Sequence, residues 1–207
     1  TVPMRIALVA HALAGNNPGN VIYVNGPSEA EKVAKAVYEQ LPALAEADTE
    51  IDDLRDLIKT AVHSKYLLAD VLARRVAFHY GNMPLMVRTE LERLFGEGKI
   101  HYLICPSTLL EGVNLPCRTI FMRNPQKGTG RPLREGDFWN LAGRAGRWGK
   151  EFEGNVVCID TDDESLWPNL PRVRKRSQIT RAVSTGLDEA SGLLAFVRSV
   201  DEVHDDS

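Results

Sequence analysis

A chain of 207 residues with 43% hydrophobic and 26% charged residues can bury a full core, while a formal net charge of −3 gives no electrostatic signature of a nucleic-acid binder. Cys105, Cys117 and Cys158 show neither CxxC spacing nor a histidine partner, which argues against a disulfide framework or zinc site and for small buried hydrophobes in a reducing, cytoplasmic setting. No apolar run reaches the length of a membrane span, no signal peptide is evident, and the chain opens on Thr1, so a fragment of a longer protein with no membrane partner is expected.

The spacing predicts a helix over Met4–Ala14, stopped by Gly15 and the turn-forming NNPGN. A short β-branched run, Val21–Asn25, follows as a buried strand, and Ser28 with Glu31 forms an expected capping box for a helix over Glu29–Leu41. Thr49–Ala73 keeps Ile51, Leu54, Ile58, Leu68 and Leu72 in helical register, enough for one or two helices. Val76–Tyr80 is the second expected strand. The helix after it, Pro84–Phe95, is expected to turn Leu85, Leu91, Leu94 and Phe95 inward and to stop at Gly96 and Gly98.

Tyr102–Cys105 and Thr119–Met122 are the third and fourth strands, separated by STLLEGVNLP at Ser107–Pro116. Asn124–Pro132 is a glycine-rich basic loop. Asp137–Gly149, DFWNLAGRAGRWG, is expected as a helix with Asp137 as N-cap and Arg144 and Arg147 on one side. Gly143 and Gly146 inside such a helix would each cost about 1 kcal/mol relative to alanine, so they call for the close approach of a ligand or another backbone. Asn155–Asp160 is the fifth strand. The alternation of strands and helices defines an α/β fold with a mainly parallel sheet covered on both faces, whose ligands gather at the carboxyl ends of the strands, where His79, Ser107 and Asn124 fall. Thr161–Ser207 passes from acidic to basic through Arg172–Arg181 and offers helical spacing in Leu187–Val200.

The order of these segments resembles the second RecA-like domain of superfamily 2 helicases, in the DExH-box group. VIYVNGPSEAEKVA (Val21–Ala34) is similar to motif IV, and His79-Tyr80-Gly81 with Arg88 and Glu92 follows it. STLLEGVNLP is similar to motif V and NLAGRAGR (Asn140–Arg147) to motif VI. The resemblance implies a three-layer RecA-like domain over residues 20–160. Residues 1–19 would then be a helix and linker from a preceding region, and 161–207 a linker and helical extension. It also implies that Arg144 and Arg147 act as arginine fingers on ATP, with Gly112, Asn114, Asn140 and Gly143 on the nucleotide side. Gly26, His79, Ser107 and Thr108 would lie on the path of a DNA or RNA strand, expected to be single. ATP and Mg²⁺ would be held mainly by a first RecA-like domain of the same protein. Pro106 stands where the family commonly has threonine and Asn140 where it has glutamine, so one phosphate contact must move to Ser107 or Thr108 and one amide has a shorter reach.

Some residues keep two readings. His79 either holds a loop near the nucleic acid or is satisfied by backbone groups at a strand end, and Arg88 and Glu92, four apart, are expected to pair on the helix surface. Lys127 and Arg131 either touch phosphate or lie on a solvated loop. VVCIDTDDES at Val156–Ser165 imitates a Walker B strand, but no GxxxxGK[ST] loop occurs in the sequence, so the chain is not expected to hydrolyse ATP alone. The competing readings are a docking module acting through Arg172–Arg181 and a stand-alone α/β enzyme, for which no nucleophile–base pair is found.

Overall fold

A computed structural model describes residues 1–43, 47–106, 117–127, 130–146, 154–168, 170–171 and 173. The chain divides into a unit over Thr1–Pro171 and a second over Arg172–Ser207, and all the described helices and strands belong to the first. The expected features at Arg172–Arg181 and Leu187–Val200 lie outside the described residues.

Helix α1 covers Val2–Ala14, with Pro3 in its first turn, and ends where Gly15 takes φ +58°. It buries Ile6, Ala7 and Ala10 and packs along α2 (Pro27–Gln40), so the first helix is built into the same core as the strands. Between them runs β1, Asn20–Val24, with every residue buried. The capping box at Ser28 and Glu31 does not form. Pro27, whose ring presets a helical φ, starts α2 two residues early, leaving Gly26 as N-cap. Glu29 instead accepts the Asn25 backbone N–H at 2.7 Å, and Glu31 accepts the Tyr80 hydroxyl at 2.9 Å.

The Thr49–Ala73 stretch resolves into α3 (Thr49–Ala61) and α4 (Leu67–Val71). Asp48 caps α3 by accepting from the amides of Glu50 and Ile51. Strand β2 is Val76–Phe78. Helix α5, Leu85–Gly96, buries Val87, Leu91, Leu94 and Phe95, whereas Leu85, expected inward, is 69% exposed in the first turn. Strands β3 (Tyr102–Pro106) and β4 (Thr119–Met122), helix α6 (Glu135–Ala142) and strand β5 (Asn155–Cys158) complete the described part of the unit.

These five strands are all parallel, in the order β2-β3-β1-β4-β5. Asn20 of the central β1 lies opposite Tyr102 on one side and Thr119 on the other. Successive residues of β1, β3 and β4 are all buried, which requires cover on both faces of the sheet. Each fully buried Val, Ile or Leu there contributes roughly 1.5–3 kcal/mol relative to exposure. Tyr102 reaches out of the sheet to donate to the Gly15 carbonyl at 2.5 Å, tying the end of α1 to β3. Cys105 and Cys117 are buried and Cys158 half-buried, all three free; burial raises their thiol pKa values, that of Cys158 to about 11.

Candidate functional site

Helix α6 stops earlier than the sequence pattern suggests. Its N-cap is Arg134, and Asp137 lies in the first turn, where its carboxylate receives Lys127 Nζ at 2.9 Å. The helical hydrogen bonds end at Ala142. Gly143 caps the helix, and the Arg144 and Ala145 amides fold back to the carbonyls of Leu141 and Ala142 in tight three-residue turns. Gly146 has φ +83°, a conformation that costs any residue with a Cβ about 1–2 kcal/mol. Arg144 therefore sits on a turn beyond the helix, and Arg147 lies outside the described residues.

A second backbone holds this turn in place. Ala145 forms a parallel bridge with Cys117, in which the Gly146 N–H donates to the Cys117 carbonyl at 2.8 Å. Gly154, just before β5, also packs against the turn: a Cβ added there would stand 2.0 Å from the Gly146 nitrogen and 2.2 Å from the Ala145 carbonyl carbon. Close approach of another backbone is thus supplied within the chain itself for Gly146, whereas Gly143 meets only the carbonyls of its own helical turn. Burial pushes the Cys117 thiol up to about 12 while the Arg144 guanidinium beside it pulls the other way. Asn140 and Gly143 are exposed and Arg144 is half-buried.

The turn lies at the amino ends of the strands. Cys117 immediately precedes Arg118, whose amide, with that of Thr119, donates to Gly19 ahead of β1; the Asn155 amide donates in turn to the Arg118 carbonyl. Gly26 and His79 follow the carboxyl ends of β1 and β2. His79 and Asn124 thus stand at the carboxyl ends of β2 and β4, where the sequence pattern puts them, whereas Arg144 stands at the opposite end of the sheet. A five-residue strand advances about 3.3 Å per residue, so the two groups are separated by roughly 15 Å. Ser107, Thr108, Gly112 and Asn114, on the chain that leads from one end to the other, lie outside the described residues.

His79 is 1% exposed. Its Nε2 meets Glu92 Oε1 at 2.9 Å, so a carboxylate and not a backbone group engages the ring, while Nδ1 is buried without a hydrogen-bond partner among the described residues. Burial lowers its pKa, opposed by Glu92 and assisted by the Arg88 charge. This bond takes the carboxylate that the four-residue spacing had assigned to Arg88. The Arg88 Nε is buried without a hydrogen-bond partner among the described residues, leaving on α5 a half-buried permanent cation close enough to His79 for its charge to act on that ring. The sequence showed this arginine but not its release, because His79 and Glu92 are thirteen residues apart.

The basic loop after β4 is a hairpin whose base is stitched to β1. Gln126 bridges Pro132, the Lys127 amide donates to Arg131, and Asn25 binds both the Asn124 carbonyl and the Gln126 amide. Tyr23 of β1 donates its hydroxyl to the Gln126 carbonyl at 2.6 Å. Asp160, the acid that imitates a Walker B carboxylate, is held by Arg123 at 2.6 Å and Arg5 at 2.9 Å, which lowers its pKa. The amides of Gly143, Arg144, Ala145 and Gly146 all donate within the chain, so what the turn can offer a ligand is the Arg144 cation, suited to phosphate oxygens and not to a metal ion. Among the described residues no three His, Cys, Asp or Glu side chains are grouped to hold a metal, and no helix is long and apolar enough to cross a membrane.

A five-stranded parallel sheet flanked by helices, with an arginine turn locked between β4 and β5, is a RecA-like α/β domain. The helicase conserved C-terminal domain matches residues 53–149, and the chain is a C-terminal RecA-like domain of the superfamily 2 helicases. It is similar to the ATP-dependent DNA helicase Hel308 of Pyrobaculum calidifontis, 32% identical over 75% of this chain and 23% of the relative. It is similar also to the exosome RNA helicase MTR4 of Homo sapiens, 32% identical over 58% of this chain and 12% of the relative. Anti-bacteriophage protein B of Escherichia coli matches over 92% of this chain and 24% of its own length at 26% identity. The chain thus spans about a quarter or less of each of these relatives.

Proposed function

We propose that this domain is the second motor half of an ATP-dependent nucleic-acid helicase or translocase, and that it completes a nucleotide site held mainly by a first RecA-like domain. The bridge between Ala145 and Cys117 carries this reading, because it locks the arginine turn to the end of the motif V segment. Arg144, and Arg147 beside it in sequence, act on the phosphates of ATP. A planar guanidinium that never deprotonates suits the charge that develops on a transferring phosphoryl group. Gly112, Asn114, Asn140 and Gly143 face the same nucleotide, and Mg²⁺ is bound by acids of the first domain.

At the other end of the sheet Gly26, Ser107 and Thr108 meet the backbone of a single strand of DNA or RNA. Arg88 joins them, and His79 serves behind it by engaging Glu92 and keeping that carboxylate off the arginine. Placing nucleotide and strand at opposite ends of one sheet, joined by the motif V segment, gives hydrolysis a direct route to a change of grip.

The reading is tested by titrating oligonucleotide binding to residues 1–207 against salt while assaying ATP turnover. Binding is expected to weaken with a log–log slope of about −0.7 per phosphate neutralised, and Arg88→Ala to make the slope shallower by about that amount. No turnover is expected from this chain alone. Salt-independent binding, or clear hydrolysis without a first domain, would contradict the proposal; a flat salt response favours a protein-docking role.

A further inference from the structure

The position of α6 has two supports. Leu141 and Phe138, three residues apart, are both buried in the core, and Phe138 also borders a cleft. Pro125, Leu133 and Phe138 form one group in its lining, and Leu166, Trp167 and Pro171 form a second. The second group belongs to a strap that follows β5 and ends the unit at Pro171. In sequence this stretch, TDDESLWPNLP, reads as an acidic surface turn, yet Trp167 within it is only 6% exposed.

The strap is built to hold that indole still. Trp167 Nε1–H donates to the Ile159 carbonyl at 2.9 Å. The amides of Leu166 and Trp167 both donate to the Asp163 carbonyl, and the Asp163 carboxylate accepts the Ser165 hydroxyl at 2.6 Å and the Ser165 amide at 3.0 Å. A closed turn carrying a buried tryptophan thus shares one cleft with Pro125 at the base of the hairpin and with Phe138 of α6. One helical turn further on lies Gly143, where the arginine turn begins.

We propose that Trp167 is a positioning residue for the arginine turn, acting through Phe138 and α6. The strap sets how α6 lies against the sheet, and α6 sets where Arg144 projects. The catalytic consequence rests on the reading of Arg144 as a phosphate contact; the geometric claim stands without it.

Amide hydrogen exchange on residues 1–207 tests the geometric claim, with the Gly146 amide, bonded to Cys117, as the reporter. In Trp167→Ala its exchange should speed up by about tenfold or more while the amides of the β1–β3 ladder keep their protection. Unchanged Gly146 protection overturns the proposal. Should the ladder loosen as well, Trp167→Leu decides: it keeps apolar fill but lacks the indole's reach, and Gly146 must still exchange faster than the ladder amides. In a protein carrying both motor domains, Trp167→Ala should lower kcat by about tenfold with the KM for ATP within about twofold, and Trp167→Phe should recover most of it. An unchanged kcat in Trp167→Ala overturns the positioning role, whereas an unchanged kcat in Arg144→Ala overturns the finger assignment.

Discussion

Gly154→Ala is the substitution that most directly probes how the arginine turn is held. The added methyl would stand 2.0 Å from the Gly146 nitrogen, and real Cβ contacts do not fall below 3.0 Å, so the turn or the start of β5 must move by about 1 Å. Neither neighbour is a flexible side chain; both are backbone, and Gly146 is bonded to Cys117. Forced overpacking of this kind costs about 1–3 kcal/mol. Loss of the Gly146–Cys117 hydrogen bond adds about 1 kcal/mol. Urea unfolding of the variant should therefore show a loss of about 2–4 kcal/mol, with the Gly146 amide exchanging faster. A displacement of 1 Å can cost about 10²-fold in a catalytic step, which is the drop expected for turnover in a protein with both motor domains. A variant within about 0.5 kcal/mol of the parent, with Gly146 still protected, would refute the claim that two backbones clamp this turn.

Asp160→Asn should destabilise the chain by about 1–3 kcal/mol, because it strips Arg123 and Arg5 of their shared carboxylate. Asparagine tolerates the φ of +58° at this position, so the loss reports charge and not backbone strain. Unfolding curves for the two proteins that superimpose would show that these pairs contribute nothing. Acid sensitivity should come in part from histidines whose neutral form the fold favours. Burial, with the Arg75 charge adding to it, pushes His101 down to about 4 from 6.5, and burial lowers His79 as well. For a base whose folded pKa is depressed, the stabilisation is present above 6.5 and is lost as pH falls through the folded value. Stability should therefore drop between pH 6.5 and 4, with His101 responsible for about 1–3 kcal/mol of it, and His101→Asn should flatten that limb. An identical pH profile in the variant would argue against a half-buried His101 held neutral by the fold.

The strands were legible because a parallel sheet covered on both faces demands unbroken apolar runs, and VIYV, YLIC and TIFM are such runs. Local rules failed where a neighbour outranked them. Pro27 started α2 ahead of the expected capping box, and the first-turn position of Leu85 left it outside the core. The motif around Arg144 invites a longer helix because alanine, leucine and arginine all favour one. Gly146 adopts its positive φ to meet Cys117 and Gly154, contacts that no window of sequence contains. The same holds for His79, whose carboxylate partner lies on the next helix, and for Trp167, hidden in a stretch that is otherwise acidic.

The central claim is that this domain lends a cation to a nucleotide bound elsewhere, and nucleic-acid-stimulated ATP turnover by a protein carrying both motor domains tests it most directly. Arg144→Ala is predicted to lower kcat by about 10³-fold or more while nucleotide binding stays within a few fold of the parent. Turnover unchanged by the substitution would contradict the account.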